Sequence, residues 1–182
     1  MVPGRPLAAL LLFPISENTE KLSVEKQAET KSVADEVFFM KQTVGNACGT
    51  VGILHAVLNN PSIPVGGELE VFRAACQGKA PGERALLLEE NAGIAERHST
   101  AASTGQTAAP SADEKVNLHF VAFVEVGGRL WELDGRKEKA CDWGPVEGGD
   151  VLGAAAGAVR RYMKCDPEEM RFTVVALTDM NQ

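Results

Sequence analysis

The stretch LHFVAFVEVGGRLWELD, residues 118–134, carries the clearest structural signal in the chain. Two segments rich in apolar, β-branched and aromatic residues, Leu118–Val126 and Arg129–Leu133, flank the dipeptide Gly127-Gly128. A glycine pair in this position is typical of a two-residue hairpin turn, because both turn residues need a positive φ. The stretch therefore predicts an antiparallel β-hairpin.

The turn also predicts which residues face each other across the hairpin. It places Val126 opposite Arg129, and Asp134 then falls opposite Val121. His119 points to the same side of its strand as Val121, so His119 and Asp134 share one face as diagonal neighbours. Such neighbours lie about 7–8 Å apart at the backbone, and an aspartate there can hold an imidazole in one tautomer. A shift of one residue would separate them, and two unrelated polar residues at strand ends are the alternative.

Helical and extended patterns alternate along the rest of the chain. Helices are expected over residues 17–32, 46–59, 68–76, 81–90 and 150–165, and further strands over residues 8–13 and 171–178. Residues 91–110 are small and polar, which predicts a long loop of a kind that is often functional. The interleaved elements indicate an α/β or α+β fold class.

Length and charge narrow the range of functions. The 182 residues fit one domain spanning residues 1–182, and the net charge is −7. Acidity without a basic block argues against nucleic acid or a membrane as the partner and leaves a basic protein open. No apolar run approaches the roughly 18 residues of a membrane span. Residues 7–13 are read as a buried strand rather than a signal peptide, because no small-residue cleavage site follows and Pro14 ends the run.

One of the four cysteines stands apart. The four are scattered without CxxC pairs, which argues against a zinc site and favours a reducing compartment over a disulfide framework. We expect no cofactor. Cys48 lies in the segment GNACG at the expected start of a helix, where free N–H groups and the helix dipole lower a thiol pKa. Cys48 is thus a candidate nucleophile, with a buried, inert cysteine as the alternative.

A thiol nucleophile needs a base, and the chain has three histidines. His55 follows Cys48 by two helical turns, about 10 Å along the axis, which is beyond hydrogen-bond reach. His98 lies in the expected loop and is read as a solvated histidine. His119 remains as the candidate base. Gln42, six residues before Cys48, is either a donor to an oxyanion or an ordinary loop or capping residue.

Taken together, these segments resemble a known family. QTVGNACG (residues 42–49), LHA (54–56), LHF (118–120) and WELDGR (131–136) resemble the active-site segments of the ubiquitin C-terminal hydrolases, which are papain-like cysteine proteases. The resemblance runs from residue 2 to residue 178. It implies a papain-like fold with a central, mostly antiparallel sheet and helices on both faces. It also implies that residues 91–110 form a crossover loop above the active site.

The resemblance assigns roles to four residues. Cys48 would be the nucleophile, His119 the general base and then acid, Asp134 the residue that orients His119, and Gln42 part of the oxyanion hole. The implied activity is that of a thiol-dependent deubiquitinase, which cleaves small adducts or short peptides from the C-terminal glycine of ubiquitin through an acyl-enzyme. Ubiquitin, with Nedd8 as a further candidate, would be the partner of a monomeric enzyme in the cytoplasm or also the nucleus.

The N-terminus departs from the family pattern. Members usually carry an additional helix and strand before the strand that matches residues 8–13, whereas here Met1 falls just before that strand. We therefore expect an unpaired sheet edge or an uncovered hydrophobic face. The alternative function is that of a non-catalytic or weakly active ubiquitin-binding protein.

Overall fold

The computed structural model describes residues 2–104 and 117–180. In chain order, the elements are β1 (Arg5–Pro14), α1 (Glu17–Glu29), α2 (Cys48–Leu58), α3 (Glu68–Ala75), α4 (Pro81–Glu89), α5 (Ala92–Thr104), β2 (Leu118–Val126), β3 (Arg129–Leu133), β4 (Cys141–Pro145), a short 3-10 turn (Glu147–Gly149), α6 (Val151–Cys165) and β5 (Thr173–Asp179). Across these two ranges, we find no helix with the length and apolar character that a bilayer crossing requires.

The five strands form one antiparallel sheet in the order β4-β3-β2-β1-β5. The predicted hairpin is confirmed: β2 and β3 have the expected bounds, and Val126 lies opposite Arg129. The turn glycines Gly127 and Gly128 have φ values of 61° and 74°, as this turn requires. Residues 7–13 lie in β1, inside the sheet between β2 and β5, which confirms the strand interpretation.

Alternate side chains of the central strands fill two hydrophobic layers. Leu11 and Phe123 pack on one face with Tyr162 of α6, and Leu22 of α1 joins the same cluster. The neighbouring side chains point the other way, where a second cluster includes Ala56 of α2. This period of two is what a sheet covered on both faces requires. The expected fold class, an antiparallel sheet flanked by helices on both faces, is confirmed.

Helix α2 lies unusually close to the sheet at Gly52. A Cβ atom at this position would stand 3.2 Å from Leu10 Cδ2 and 3.8 Å from Phe120 Cβ. The missing side chain therefore lets the helix axis approach β1 and β2. Just before the helix, Asn46 adopts a left-handed conformation with φ of 55°, which asparagine tolerates better than most residues. Together these features place Cys48, the first residue of α2, beside the beginning of β2.

The structure corrects the expectation of a loop over residues 91–110. Helix α5 occupies Ala92–Thr104, and Asn91 caps it by accepting a hydrogen bond from the Ile94 backbone N–H at 2.9 Å. The alanines in the stretch favour a helix more strongly than its serines and threonines oppose one. Residues 105–110 and the side chain of His98 lie outside the described part of the chain. That this stretch crosses the active site stays a prediction.

Two other elements differ from expectation. Helix α1 is mostly polar but not weakly packed, because Thr19, Leu22, Ser23 and Lys26 are all buried. The Lys26 ammonium stands 4.9 Å from the ring centre of Trp143, where its long stem covers apolar surface. Strand β4, which carries Trp143, was not predicted, because Gly144 and Pro145 weaken its strand pattern. Its register opposite β3 is irregular.

Strand β5 forms an outer edge of the described sheet. Its side chains Val174 and Val175 point to opposite faces, yet 45% and 50% of their surfaces are exposed. An edge strand with apolar side chains open on both faces matches the expectation of an unpaired edge among the described residues.

Candidate active site

The beginning of β2 and the end of β3 bring His119 and Asp134 together. His119 Nε2 lies 2.7 Å from Asp134 Oδ1, and both side chains are about 4% exposed. They meet because β2 and β3 keep the register that the two-glycine turn sets, so the diagonal pair shares one face. The structure therefore agrees with the sequence prediction that the His119 and Asp134 side chains are neighbours.

Two further contacts fix this pair. Phe13, which lies opposite His119 across β1 and β2, presents its ring edge-on to the imidazole at a centroid distance of 6.2 Å. Asp134 Oδ1 also accepts a hydrogen bond from the backbone N–H of Arg136 at 2.9 Å. Because Nε2 is bonded to Asp134, Nδ1 is the ring nitrogen that remains for the interaction of His119 with the Cys48 thiol.

Hydrogen bonds set the acidity of the Cys48 thiol. Its partial burial opposes ionisation. However, hydrogen bonds with His119 and with the backbone N–H groups of Phe120 and Gly49, and the positive charge of His119, hold the pKa of Cys48 below its usual value. The other three thiols behave in the opposite way, because burial raises the pKa of Cys76, Cys165 and Cys141, the last to about 12. Of the four free cysteines, Cys48 is the one poised to ionise.

The histidine is held in its charged form. Burial alone would lower the pKa of His119, but hydrogen bonds and charge from Asp134 and Cys48 raise it to about 9. The pKa of Asp134 lies below its usual value: burial opposes ionisation, and the bond to His119 outweighs it. The arrangement therefore favours a thiolate and an imidazolium side by side, which titrate as a coupled pair. Such a pair can attack a carbonyl carbon and then protonate a leaving group.

Gln42 is anchored close to this pair by its backbone. Its N–H donates to the carbonyl oxygen of Gly135, next to Asp134, at 2.8 Å. Its side-chain Nε2 donates to the Val44 carbonyl at 3.1 Å, and its buried Oε1 has no hydrogen-bond partner among the described residues. Since an amide nitrogen carries two N–H groups, one of them remains for a further acceptor.

His55 takes no part in proton transfer. It is fully buried and stacks on Phe39 at 5.4 Å, and its Nε2 accepts the Met40 backbone N–H at 3.1 Å. Burial lowers the pKa of His55 to about 4, so the ring is neutral at physiological pH. Its contact with Met40 instead fixes the segment that leads to Gln42, in agreement with the expectation of a core residue. Nowhere in residues 2–104 and 117–180 do three His, Cys, Asp or Glu side chains form a group that could hold a metal ion.

Comparison with known families decides the classification. The family model described as ubiquitin carboxyl-terminal hydrolase, family 1, matches residues 1–164. The chain belongs to this family. A probable ubiquitin carboxyl-terminal hydrolase of Dictyostelium discoideum is 40% identical over 184 residues, which cover 97% of this chain and 72% of that relative. Ubiquitin carboxyl-terminal hydrolase isozyme L1 of Macaca fascicularis is 38% identical, with 97% of this chain and 80% of the relative covered.

Solved structures share the fold of this ubiquitin carboxyl-terminal hydrolase. The Trichinella spiralis UCH37 catalytic domain bound to ubiquitin vinyl methyl ester superposes with a TM-score of 0.74 at 23% identity, covering 96% of this chain and 77% of that one. A second structure of Trichinella spiralis UCH37 with the same ubiquitin derivative gives a TM-score of 0.72, also at 23% identity. It covers 94% of this chain, which spans 63% of that longer chain.

The structure adds residues that the sequence reasoning left out of the site. Gly135 contacts Gln42, and Arg136 gives its N–H to Asp134. Both follow Asp134 directly in the chain, and this adjacency was the available signal. Phe13 carried no signal in its own segment, because its contact with His119 depends on the pairing of β1 with β2.

Proposed function

We propose that this chain is a thiol-dependent deubiquitinase that hydrolyses amide, ester or thioester bonds at the C-terminal glycine of ubiquitin. Membership of the ubiquitin carboxyl-terminal hydrolase family supports the reaction class. The observation that carries the assignment of roles is the buried His119–Asp134 pair, 2.7 Å apart, beside the Cys48 thiol, whose pKa His119 lowers. Cys48 acts as the nucleophile, His119 as the proton carrier and Asp134 as the residue that orients it.

In the first half of the reaction, the Cys48 thiolate attacks the carbonyl carbon of the C-terminal glycine. A carbon–sulfur bond forms, and the carbonyl π electrons move to oxygen. Gln42 Nε2 and the Cys48 backbone N–H stabilise this oxyanion, and a donor of this kind typically contributes about 3–4 kcal/mol. When the carbonyl re-forms, the bond to the leaving group breaks, and His119 gives its proton to the departing nitrogen, oxygen or sulfur.

In the second half, water resolves the thioester that joins ubiquitin to Cys48. His119, now neutral, removes a proton from the water as its oxygen attacks the same carbonyl carbon. The carbon–sulfur bond breaks and the sulfur leaves as thiolate, beside a histidine that is again protonated. Asp134 keeps the ring in one orientation through both halves, so that Nδ1 faces the reacting groups.

The substrate range, assembly and location are part of the same proposal. The natural leaving groups are small adducts or short, unfolded peptides, which the resemblance to the family supports, with residues 91–110 as the crossover segment. Nedd8 is a second modifier to be tested. The enzyme acts as a monomer in the cytoplasm, and a nuclear pool is to be tested by fractionation. Four free cysteines fit a reducing compartment.

Covalent labelling with ubiquitin that carries a C-terminal electrophile tests the proposal. We expect one equivalent to attach to the wild-type chain and none to Cys48→Ala. Cys165→Ala, which removes a half-exposed thiol outside the site, should label like the wild type. We also expect turnover of ubiquitin carrying a fluorogenic C-terminal amide. A chain that melts cooperatively yet neither labels nor turns over, or a Cys48→Ala variant that labels equally, would contradict the proposal.

A further inference from the structure

The turn that follows β3, residues 134–137, touches both halves of the site. The carbonyl of Gly135 accepts the Gln42 backbone N–H at 2.8 Å, and the Arg136 backbone N–H donates to the Asp134 carboxylate at 2.9 Å. The turn closes on itself when the Lys137 N–H donates to the Asp134 carbonyl at 2.9 Å. A movement of this turn would therefore displace the carboxylate and the oxyanion donor together.

Glu20 of α1 holds this turn from outside the site. Its Oε1 lies 3.1 Å from Arg136 Nη1 and its Oε2 lies 2.8 Å from Lys137 Nζ, so one carboxylate pairs with two consecutive side chains. Partial burial opposes the ionisation of Glu20, but the hydrogen bonds and charges of Lys137 and Arg136 lower its pKa overall. The carboxylate is therefore charged when the protein functions.

The Lys137 ammonium depends on this partner. The Lys137 side chain is only 9% exposed, so most of its charged group is removed from water beside Glu20. A buried ammonium that loses its counterion becomes strongly unfavourable, and a long lysine side chain can escape by moving its head to solvent. Because Lys137 belongs to the turn, this escape would pull on the backbone that carries Arg136 and Gly135.

We propose that Glu20 is a positioning residue for the reaction: by pairing with Arg136 and Lys137, it holds the turn that aligns Asp134 and Gln42. Glu20 contacts neither the thiol nor the imidazole, and it acts through the turn alone. The inference rests on the proposed function, since it concerns the alignment of the same reacting groups. It deepens that proposal by assigning to α1 a part in aligning the reacting groups.

Steady-state kinetics of the folded full chain with ubiquitin carrying a fluorogenic C-terminal amide test this role. In Glu20→Gln, we expect kcat to fall about tenfold with KM within about twofold of wild type, because misalignment by a fraction of an ångström slows the reaction without touching the ubiquitin surface. Glu25→Gln, a charge removal at an exposed position of the same helix, should leave both constants unchanged. Wild-type turnover is required first, so a failure of the proposed function is seen separately.

The double variant Glu20→Gln/Lys137→Met keeps the test decisive if the single variant does not fold. It removes the buried ammonium together with its counterion, so a cooperative melt is expected. Its kcat should lie between those of the wild type and Glu20→Gln, about threefold below wild type. In this variant Glu20 no longer holds the turn, but no unpaired ammonium pulls the turn toward solvent either. If a folded Glu20→Gln or double variant keeps the wild-type kcat, or loses activity through KM instead, Glu20 is not a positioning residue.

Discussion

Replacing Glu132 with glutamine should change how the stability of this protein depends on pH. Glu132 lies on β3 with 1% of its surface exposed, and its carboxylate accepts hydrogen bonds from Trp143 Nε1 at 2.7 Å and from the Tyr162 hydroxyl at 2.9 Å. These contacts join β3 to β4 and α6. A glutamine can keep both, by accepting from the indole and donating to the tyrosine oxygen, so the fold should survive the change.

The size of the effect follows from burial. Burial, together with the nearby charge of Asp134, raises the pKa of Glu132 to about 7 from an ordinary value of 4.5, although the two hydrogen bonds and Lys137 oppose this rise. At 1.36 kcal/mol for each tenfold change in proton affinity, the difference corresponds to about 3 kcal/mol in the free energy of unfolding.

The sign is set by which state binds the proton. Below pH 4.5, the carboxyl group is protonated in both the folded and the unfolded chain. Between pH 4.5 and about pH 7, the Glu132 carboxyl ionises in the unfolded chain but not in the folded one. The folded state then binds more protons, so the free energy of unfolding falls as pH rises, and the contribution is lost above the folded pKa.

Urea denaturation across this pH range measures the prediction. Relative to Glu132→Gln, which stays neutral, the wild type should lose about 3 kcal/mol of unfolding free energy between about pH 4.5 and pH 8. Glu147→Gln, at an exposed position, should run parallel to the wild type. If the difference between wild type and Glu132→Gln does not change with pH, then the carboxylate ionises in the folded protein and the reasoning from burial is refuted.

Three further substitutions should have distinct outcomes. Asp134→Asn should lower kcat by up to about 10⁴-fold. It should also move the alkaline limb of the kcat/KM profile from near pH 9, the pKa of His119, toward pH 6.5, the ordinary histidine value, since the carboxylate raises that pKa. Gly135→Ala would place a Cβ 2.8 Å from the Cβ of Gln42, and should cost about 1–3 kcal/mol of stability and lower kcat. Tyr162→Phe removes a buried hydroxyl donor and should cost about 1–3 kcal/mol in urea denaturation.

Each of these has its own control. Gly82→Ala, in helix α4, adds a methyl group that meets no other part of the structure within 4 Å and should not destabilise the fold, so a loss there equal to that of Gly135→Ala would remove the steric explanation. An unchanged alkaline limb in Asp134→Asn would show that the carboxylate does not set the histidine charge. A Tyr162→Phe variant as stable as wild type would mean that the hydroxyl bond contributes nothing net.

The features that the sequence predicted well are local. The pairing of His119 with Asp134 depends on two strands and a two-residue turn, so the spacing of the glycines was enough to place the pair. The long-range features could not be obtained in this way. Glu20 and Lys137 are 117 positions apart, and their contact exists only because α1 packs beside the sheet. Strand β4 was missed because Gly144 and Pro145 weaken its pattern.

Helix α5 shows a different limit. Small residues dominate it and Ile94 is its one large apolar side chain, so the sequence shows no apolar period. The Asn91 cap and the contacts with α3 and α4 support the helix that its alanines favour. The meeting of Cys48 with His119 was likewise beyond periodicity: comparing the three histidines made His119 the candidate base, and the resemblance to the family supported the pair. Such contacts between distant segments form through packing, which one sequence without homologues does not reveal.

The close approach of α2 to the sheet has a consequence for control of the thiol. Cys48 begins α2 and His119 lies on β2, so their separation depends on how closely the helix approaches the sheet, and Gly52 meets Leu10 at that contact. A methyl group added at Gly52 would push the N-terminal end of α2 away from the sheet. The distance between the Cys48 thiol and the His119 imidazole would then increase. A substitution at the buried Gly52 can therefore tune the reactivity of the thiol, while the nucleophile, the imidazole and the substrate surface keep their chemistry.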